Sequence, residues 1–335
     1  MSESGLPQAS DRIALAGSDV AVPPLGVGTW AWGDKSTWGM GGYDATFTEA
    51  TIREAWEASI EAGVVLFDTA EVYGGGESER IIGRLLAADP AARQRVVIAT
   101  KFMPSPLRIP MKAALVAAAR ASCERLGIES IDLYQIHGPI SLRSHGTLAD
   151  ALATAHAEGL VKAVGVSNYS TKETRAMEAA LRSRGLRLAT NQIEFSLLRA
   201  KPWRVGLLAC CRELGVVPLA YSPIGQGRLT GKYSAEHPPP GKRTFGAYPM
   251  AQVDALVAEL RRIGEAHGGR TPSQVALAWI IAHGAVPIPG AKNRAQAEQN
   301  AGALGWQMND EELARLDSAA RFGRGGVSAL FWQHG

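Results

Sequence analysis

The chain has 335 residues, 46% hydrophobic and 20% charged, with 35 basic against 32 acidic side chains and a formal net charge of +3. That apolar content fills a large core and excludes a disordered chain, while the near balance of charge gives no reason to expect nucleic acid or an anionic membrane as a partner. No apolar stretch approaches the roughly 18 residues of a membrane span, and residues 1–10 are polar and small rather than basic then apolar, so neither a transmembrane helix nor a signal peptide is expected. Of the cysteines Cys123, Cys210 and Cys211, the last two are adjacent, which suits neither a metal site nor an ordinary disulfide. The expectation is a cytoplasmic protein in a reducing compartment, without a bound metal. Composition does not separate a monomer from a homo-oligomer.

Residues 12–24 carry two short apolar runs about Gly17-Ser18-Asp19, the pattern of a hairpin. Eight β-branched, apolar runs follow, at 25–30, 64–69, 96–102, 131–137, 161–167, 189–195, 216–222 and 286–289. Most are nearly continuous, as in parallel strands buried on both faces. Amphipathic segments alternate with them. The first, 48–62, sets Ile52, Ala55, Trp56, Ser59 and Ile60 on one face and is stopped by Gly63. Others are expected at 77–88, 111–126, 144–158, 171–184, 202–214 and 272–283, the last opening on the cap pair Thr271-Pro272. The order strand, loop, helix, glycine, strand implies βαβ units, and eight of them favour a closed (β/α)8 TIM barrel over an open sheet. One domain is expected, with the barrel at about 25–319, a last helix at 310–319 and a tail at 320–335 containing Phe322, Leu330, Phe331 and Trp332. The long loop 225–250 carries Arg228, Lys232, Lys242 and Arg243, and a loop of that length is usually functional or mobile.

Barrel active sites lie at the carboxyl ends of the strands. Asp68 ends the second strand, with Tyr73 in the loop after it. Lys101 lies at the end of the third, and His137 ends the fourth. A phenol, with a pKa of about 10, is a poor acid near neutrality. A nearby ammonium lowers that pKa, and a carboxylate holds the ammonium in place. A histidine can hydrogen-bond the same substrate oxygen. Such a set can protonate an alkoxide as hydride reaches its carbon. Each residue alone has a bland reading as an ion pair, a core histidine or a packed tyrosine; four at successive strand ends argue for chemistry. Trp30, Trp32 and Trp38 crowd the first loop, where they either wall an apolar substrate pocket or plug the barrel rim.

The runs Phe67-Asp68-Thr69-Ala70 with Tyr73-Gly74, Thr100-Lys101, Ile131-Asp132-Leu133 to His137, Gly165-Val166-Ser167-Asn168 and Ile288-Pro289-Gly290 resemble the signatures of the aldo-keto reductase superfamily, in its order and spacing. The resemblance implies a tetrad of Asp68, Tyr73, Lys101 and His137 with Tyr73 as the acid, NADPH as the cofactor, bound first, and a small carbonyl compound as the substrate. No Gly-x-Gly-x-x-Gly finger is present, but phosphates can sit at loop amides and helix N-termini after the last barrel strands. By resemblance, the loop Ser222, Pro223, Ile224, Gly225, Gln226, Gly227, Arg228 and Leu229 folds over the pyrophosphate. Ser167, Asn168 and Gln192 then hold the carboxamide, and Tyr221 stacks on the nicotinamide. Beyond Gly290 come Lys292, Asn293 and Arg294, then Gln296, Gln299 and Asn300. The basic pair suits a 2′-phosphate, or else is a solvated charged turn. Asn300 by resemblance faces the adenine, and Gln299 stands where many members have Glu. The stretch from Gly28 to Gly33, with Trp38, is similar to pyridoxal reductases and related bacterial reductases. Potassium-channel β subunits resemble the chain more distantly, which keeps a redox-sensing, cofactor-binding regulatory subunit open as the alternative.

Overall fold

The computed structural model describes residues 5–240, 248–323 and 332–335. Lys242, Arg243, Leu330 and Phe331 lie outside them. Strands β1 (Ile13–Ala14) and β2 (Ala21–Val22) pair antiparallel, the expected hairpin. Among the described residues, eight parallel strands then pair in chain order: β3 (Gly26–Gly28), β4 (Leu66–Asp68), β5 (Val97–Phe102), β6 (Ile131–Ile136), β7 (Val161–Ser167), β8 (Leu188–Glu194), β9 (Val217–Tyr221) and β10 (Val286–Pro287). A parallel bridge between Gly28 and Gly290, with Gly28 N donating to Pro289 O at 3.0 Å, brings the first strand to the last and closes the barrel. Gly28 is required there, because a Cβ would stand 2.7 Å from Ile288 O. Leu15, Val20 and Val22 of the hairpin pack on Leu66, Ala189, Val217 and Val286 at the beginnings of the strands. The hairpin therefore floors the barrel and leaves only the carboxyl ends open as a mouth.

The helices are α1 (Glu49–Glu61), α2 (Glu77–Ala88), α3 (Met111–Leu126), α4 (His145–Ala157), α5 (Thr171–Arg182), α6 (Lys201–Arg204), α7 (Leu207–Leu214), α8 (Met250–Ala266), α9 (Pro272–Ala282), α10 (Arg294–Ala301) and α11 (Asp310–Ala319). Capping boxes start α5 at Ser170 with Glu173, α9 at Thr271 with Gln274 and α11 at Asn309 with Glu312. The helix expected at 202–214 is two, because Gly206 between them adopts a left-handed φ of 79°. Two helices go beyond the expected elements. α8 takes up the end of the long segment before α9, and Val253, Leu256, Val257, Leu260 and Ile263 bury its inner face. α10 begins just after Lys292. The loop expected at 225–250 opens as a 3-10 turn, Gly225–Thr230. Among the described residues no helix is long and apolar enough to cross a membrane, and Cys123, Cys210 and Cys211 are free and buried.

Candidate active site

β4 delivers Asp68 to the mouth, and the chain then reverses through the turn Tyr73–Gly76, where Gly74 and Gly75 have φ of 57° and 65°. A Cβ on Gly74 would lie 2.8 Å from Gly33 O, so both the backbone and its neighbour require glycine there. The turn is tethered by Ser78 Oγ, which lies 2.8 Å from the hydroxyls of both Thr29 and Thr69. This returns the Tyr73 hydroxyl to the barrel axis. Lys101 of β5 donates to Asp68 Oδ1 at 2.5 Å, to Thr69 O at 2.7 Å and to Tyr73 Oη at 3.3 Å. All three ammonium protons are thereby engaged. The other carboxylate oxygen of Asp68 accepts from Gln192 Nε2 at 2.7 Å and Gln135 Nε2 at 3.2 Å. The ion pair is therefore buried with its polar atoms satisfied, the condition under which a buried pair persists.

Burial opposes the charge on Lys101, but Asp68 and Tyr73 beside it together outweigh burial and hold the ammonium above its ordinary pKa. Tyr73 corrects an expectation. Burial raises the phenol and is the larger effect; Lys101 lowers it, as expected, but does not overcome burial, so the group sits above its ordinary value. His137 is pushed well below its ordinary value by burial, with Lys101 adding to the effect. Its ring is 5.6 Å from that of Tyr73, and among the described residues its Nδ1 is buried without a hydrogen-bond partner. A protonated phenol, a fixed ammonium and a neutral imidazole thus meet at one point.

That point opens into a cavity of about 1020 Å³. Asp68, Tyr73 and His137 line it, as do Ser167, Asn168, Gln192, Tyr221, Ser222, Pro223, Ile224, Gly227, Gly290, Lys292, Gln296, Gln299 and Asn300. Trp30 and Trp38 line it too, 5.5 Å apart, and Trp30 lies 6.4 Å from Tyr73. Among the described residues, three that are not glycine have left-handed φ, Asn168 (63°), Ser222 (49°) and Gln226 (53°), and all three line this cavity. Such backbone persists where the surroundings hold it, and it clusters at binding sites.

Several expected site residues stand elsewhere. Trp32 is fully buried, donates from Nε1 to Ala291 O at 2.9 Å and packs 6.3 Å from Phe67, so it belongs to the core and not to the pocket wall. The cause is a turn: Trp32 N bonds to Thr29 O at 2.9 Å, which ends the strand before its alternation reaches residue 32. Arg294 opens α10 on its outer side and pairs with Glu61 at 2.8 Å and Glu298 at 3.3 Å, so it does not join Lys292 at the cavity. Lys292 does face it, donating to Trp38 O at 2.6 Å and to Asp44 Oδ2 at 3.2 Å. Gly225, Arg228 and Leu229 belong to the loop but do not line the cavity. Leu229 is fully buried, and Arg228 donates to Gly225 O at 3.2 Å. Asn293 caps α10, its side chain accepting from Gln296 N. Lys101 is fully buried behind Tyr73 and Asp68 and does not line the cavity.

Gln226, expected in the loop, lines the cavity 4% exposed, with neither polar side-chain atom partnered among the described residues. Two other lining residues were not expected. Lys232 brings a second cation to the cavity, and Trp332 of the tail reaches it 5.4 Å from His137. The signal for Lys232 was its place in the long loop. For Trp332 nothing in the tail pattern sets a register to the barrel.

Residues 24–321 match the model of the Aldo/keto reductase family. The chain belongs to the aldo/keto reductase family. This aldo-keto reductase is an oxidoreductase, and it is 37% identical over 315 residues to the chloroplastic pyridoxal reductase of Arabidopsis thaliana, covering 90% of this chain and 84% of the relative. Its fold superposes on the glycerol dehydrogenase of Gluconobacter oxydans with a TM-score of 0.78 at 28% identity, over 96% of this chain and 99% of the other. An aldo-keto reductase of Klebsiella pneumoniae solved in complex with NADPH gives a TM-score of 0.72 at 27% identity, over 94% and 96%.

Proposed function

We propose that the protein reduces aldehydes and ketones to alcohols with NADPH, Tyr73 giving the proton. The observation that carries this reading is the Lys101 ammonium bonded at once to Asp68 and to the Tyr73 hydroxyl, beside the unpartnered His137 Nδ1, at the floor of a large cavity. Tyr73 Oη and the His137 ring are placed to share a carbonyl oxygen. As negative charge grows on that oxygen, the phenol transfers its proton, and Lys101 stabilises the phenolate that remains. Asp68 keeps Lys101 charged and aimed.

The chemistry supplied by a bound NADPH is hydride donation to the carbonyl carbon. The residues present fit such a cofactor. Gln226 offers an unpartnered amide, the loop 222–227 bends through four residues with left-handed φ, Ser222, Gly225, Gln226 and Gly227, Lys232 brings positive charge to the cavity, and Lys292 brings more just before α10. Asn168, Ser167 and Tyr221 would hold the nicotinamide end, and Asn300, Gln299 and Gln296 the adenosine end.

Trp38, Trp30, Tyr73, His137 and Trp332 follow one another at centroid spacings of 5.5, 6.4, 5.6 and 5.4 Å, an aromatic arc beside the proton donor. Such a wall favours a planar, ring-bearing aldehyde over a charged or extended one. The relation to pyridoxal reductase supports the same substrate class. The test is NADPH oxidation with a panel of aldehydes that includes pyridoxal, benzaldehyde and propanal. Turnover that fails for all of them, with NADPH still bound tightly, overturns the enzyme reading in favour of a cofactor-binding sensor.

A further inference from the structure

Residues 332–335 lie at the barrel mouth, and each of them is held. Trp332 packs on His137. Arg199, only 4% exposed, donates to Gly335 O at 3.0 Å and to Gln333 O at 3.4 Å. His334 Nδ1 lies 2.8 Å from Glu173 Oε1, and Gly335 N donates to Asn168 O at 3.2 Å, bracing the residue with left-handed φ. Gln333 is 7% exposed, and its amide nitrogen donates both to the buried Glu194 at 2.5 Å and to Tyr221 Oη at 3.3 Å.

The second of these bonds has a direction. A carboxamide nitrogen can only donate, so the Tyr221 oxygen accepts from Gln333 and its own proton goes to Asn168 Oδ1, 2.9 Å away. Asn168 Nδ2 donates to Ser167 Oγ at 3.2 Å, and Ser167 donates to Gln192 O at 2.9 Å. Every donor points the same way, from the tail across the mouth. Burial, reinforced by Glu194, pushes the Tyr221 phenol up, so it remains a donor. Asn168 and Ser167 are left with one N–H and free lone pairs, the complement of a primary carboxamide.

We propose that Gln333 is a positioning residue for the reaction, setting the hydrogen-bond direction through Tyr221, Asn168 and Ser167 and so the donors and acceptors offered to the nicotinamide carboxamide. The inference rests on the reading of those three residues as the nicotinamide ledge. It differs from simple tail anchoring, because a side chain that seats the tail equally well but accepts from Tyr221 reverses the first bond.

The experiment compares wild type, Gln333→Leu, Gln333→Glu and the exchanged double variant Glu194→Gln with Gln333→Glu. Each is measured for melting temperature without cofactor, for NADPH Kd by fluorescence titration and for NADPH-dependent turnover of an aromatic aldehyde. Gln333→Leu should weaken NADPH roughly 5- to 10-fold, the scale of one lost hydrogen bond. Gln333→Glu sets two carboxylates together and should lower the melting temperature as well. The exchanged pair restores a donor and an acceptor between positions 194 and 333, so its melting temperature should return while its Kd stays raised. Recovery of both melting temperature and Kd in the exchanged pair overturns the proposal and leaves Gln333 as an anchor for the tail. A wild-type Kd in Gln333→Leu overturns it as well. A wild type that binds NADPH but turns over no aldehyde removes the reductase reading, while the Kd comparison still decides the relay; a wild type that does not bind NADPH removes both.

Discussion

Lys101 and Asp68 form a buried ion pair, 2.5 Å between Nζ and Oδ1, with side chains 0% and 2% exposed. Removing one partner leaves the other charge in a site with little access to water, which costs about 3–5 kcal/mol. Lys101→Met should therefore lower the melting temperature as well as abolish turnover. Pairing it with Asp68→Leu should recover stability without activity, since no buried charge remains. Calorimetry of the single and double variants tests this. A single variant as stable as wild type would show that the pair is better solvated than its burial implies.

The Tyr73 hydroxyl accepts from Lys101 and reaches the cavity. Tyr73→Phe keeps the ring that packs between Trp30 and His137 and removes only the proton. Turnover should fall on the order of 10²-fold or more, the scale of general acid catalysis, with NADPH affinity nearly unchanged. Near-normal kcat in this variant would take Tyr73 out of the mechanism.

The pKa directions define a pH profile. Reduction needs the Tyr73 phenol protonated, and burial raises that group above its ordinary value of about 10. His137 is lowered well below about 6.5 and stays neutral through the same range. The reductive kcat should therefore be flat between those two ordinary values. Stability behaves differently at the acid end. Between the lowered folded value of His137 and its unfolded value near 6.5, the unfolded chain binds the extra proton, so stability falls as pH drops below about 6.5. His283, lowered chiefly by burial, adds to the same trend. His137→Gln should flatten the melting temperature over that window, and an unchanged slope would assign the trend to His283 and the carboxylates.

The strands and the tetrad were legible because burial on both faces writes continuous apolar runs, and the polar residue ending each run is the one the mouth receives. Asp68, Lys101 and His137 converge for that reason, and the glycine turn after Asp68 returns Tyr73 to them. What was not legible depended on local turns and on long returns of the chain. Trp30 and Trp32 are two apart, yet the bond from Trp32 N to Thr29 O turns the second into the core. Lys292 and Arg294 are also two apart, and the start of α10 between them sends one to the cavity and the other to Glu61. Trp332 and Gln333 had no visible role because nothing in a tail records which strand ends it meets. The split of 202–214 at Gly206 follows from glycine's freedom in the left-handed region, which a helical apolar pattern does not reveal.

Cofactor choice should depend on Lys292 and not on Arg294. A charge-assisted bond to a phosphate is worth about 1.5–3 kcal/mol, but Lys292 must first give up part of its bonding to Asp44 and Trp38 O. Lys292→Met should weaken NADPH about tenfold and leave NADH nearly untouched. Arg294→Ala should change neither, since its partners are surface glutamates. Equal affinity of the wild type for both cofactors, or an Arg294 effect as large as that of Lys292, would reject this assignment.

Trp30 and Trp32 make opposite forecasts from neighbouring positions. Trp30 is half-buried, lines the cavity and faces Tyr73. Trp30→Ala removes wall area that a ring-bearing aldehyde would cover, so KM for aromatic substrates should rise while kcat for a small aliphatic aldehyde persists and the melting temperature moves little. Trp32 is enclosed by the core that contains Phe67 and Trp56, and its indole nitrogen serves Ala291 O. Trp32→Ala leaves a cavity and an unsatisfied carbonyl, a loss of roughly 3–5 kcal/mol, and activity should fall equally for all substrates as the folded fraction falls. Melting temperature measured beside KM for benzaldehyde and propanal separates the two. A large stability loss in Trp30→Ala with unchanged substrate preference would move Trp30 from the pocket to the core, and with it the inner end of the aromatic arc.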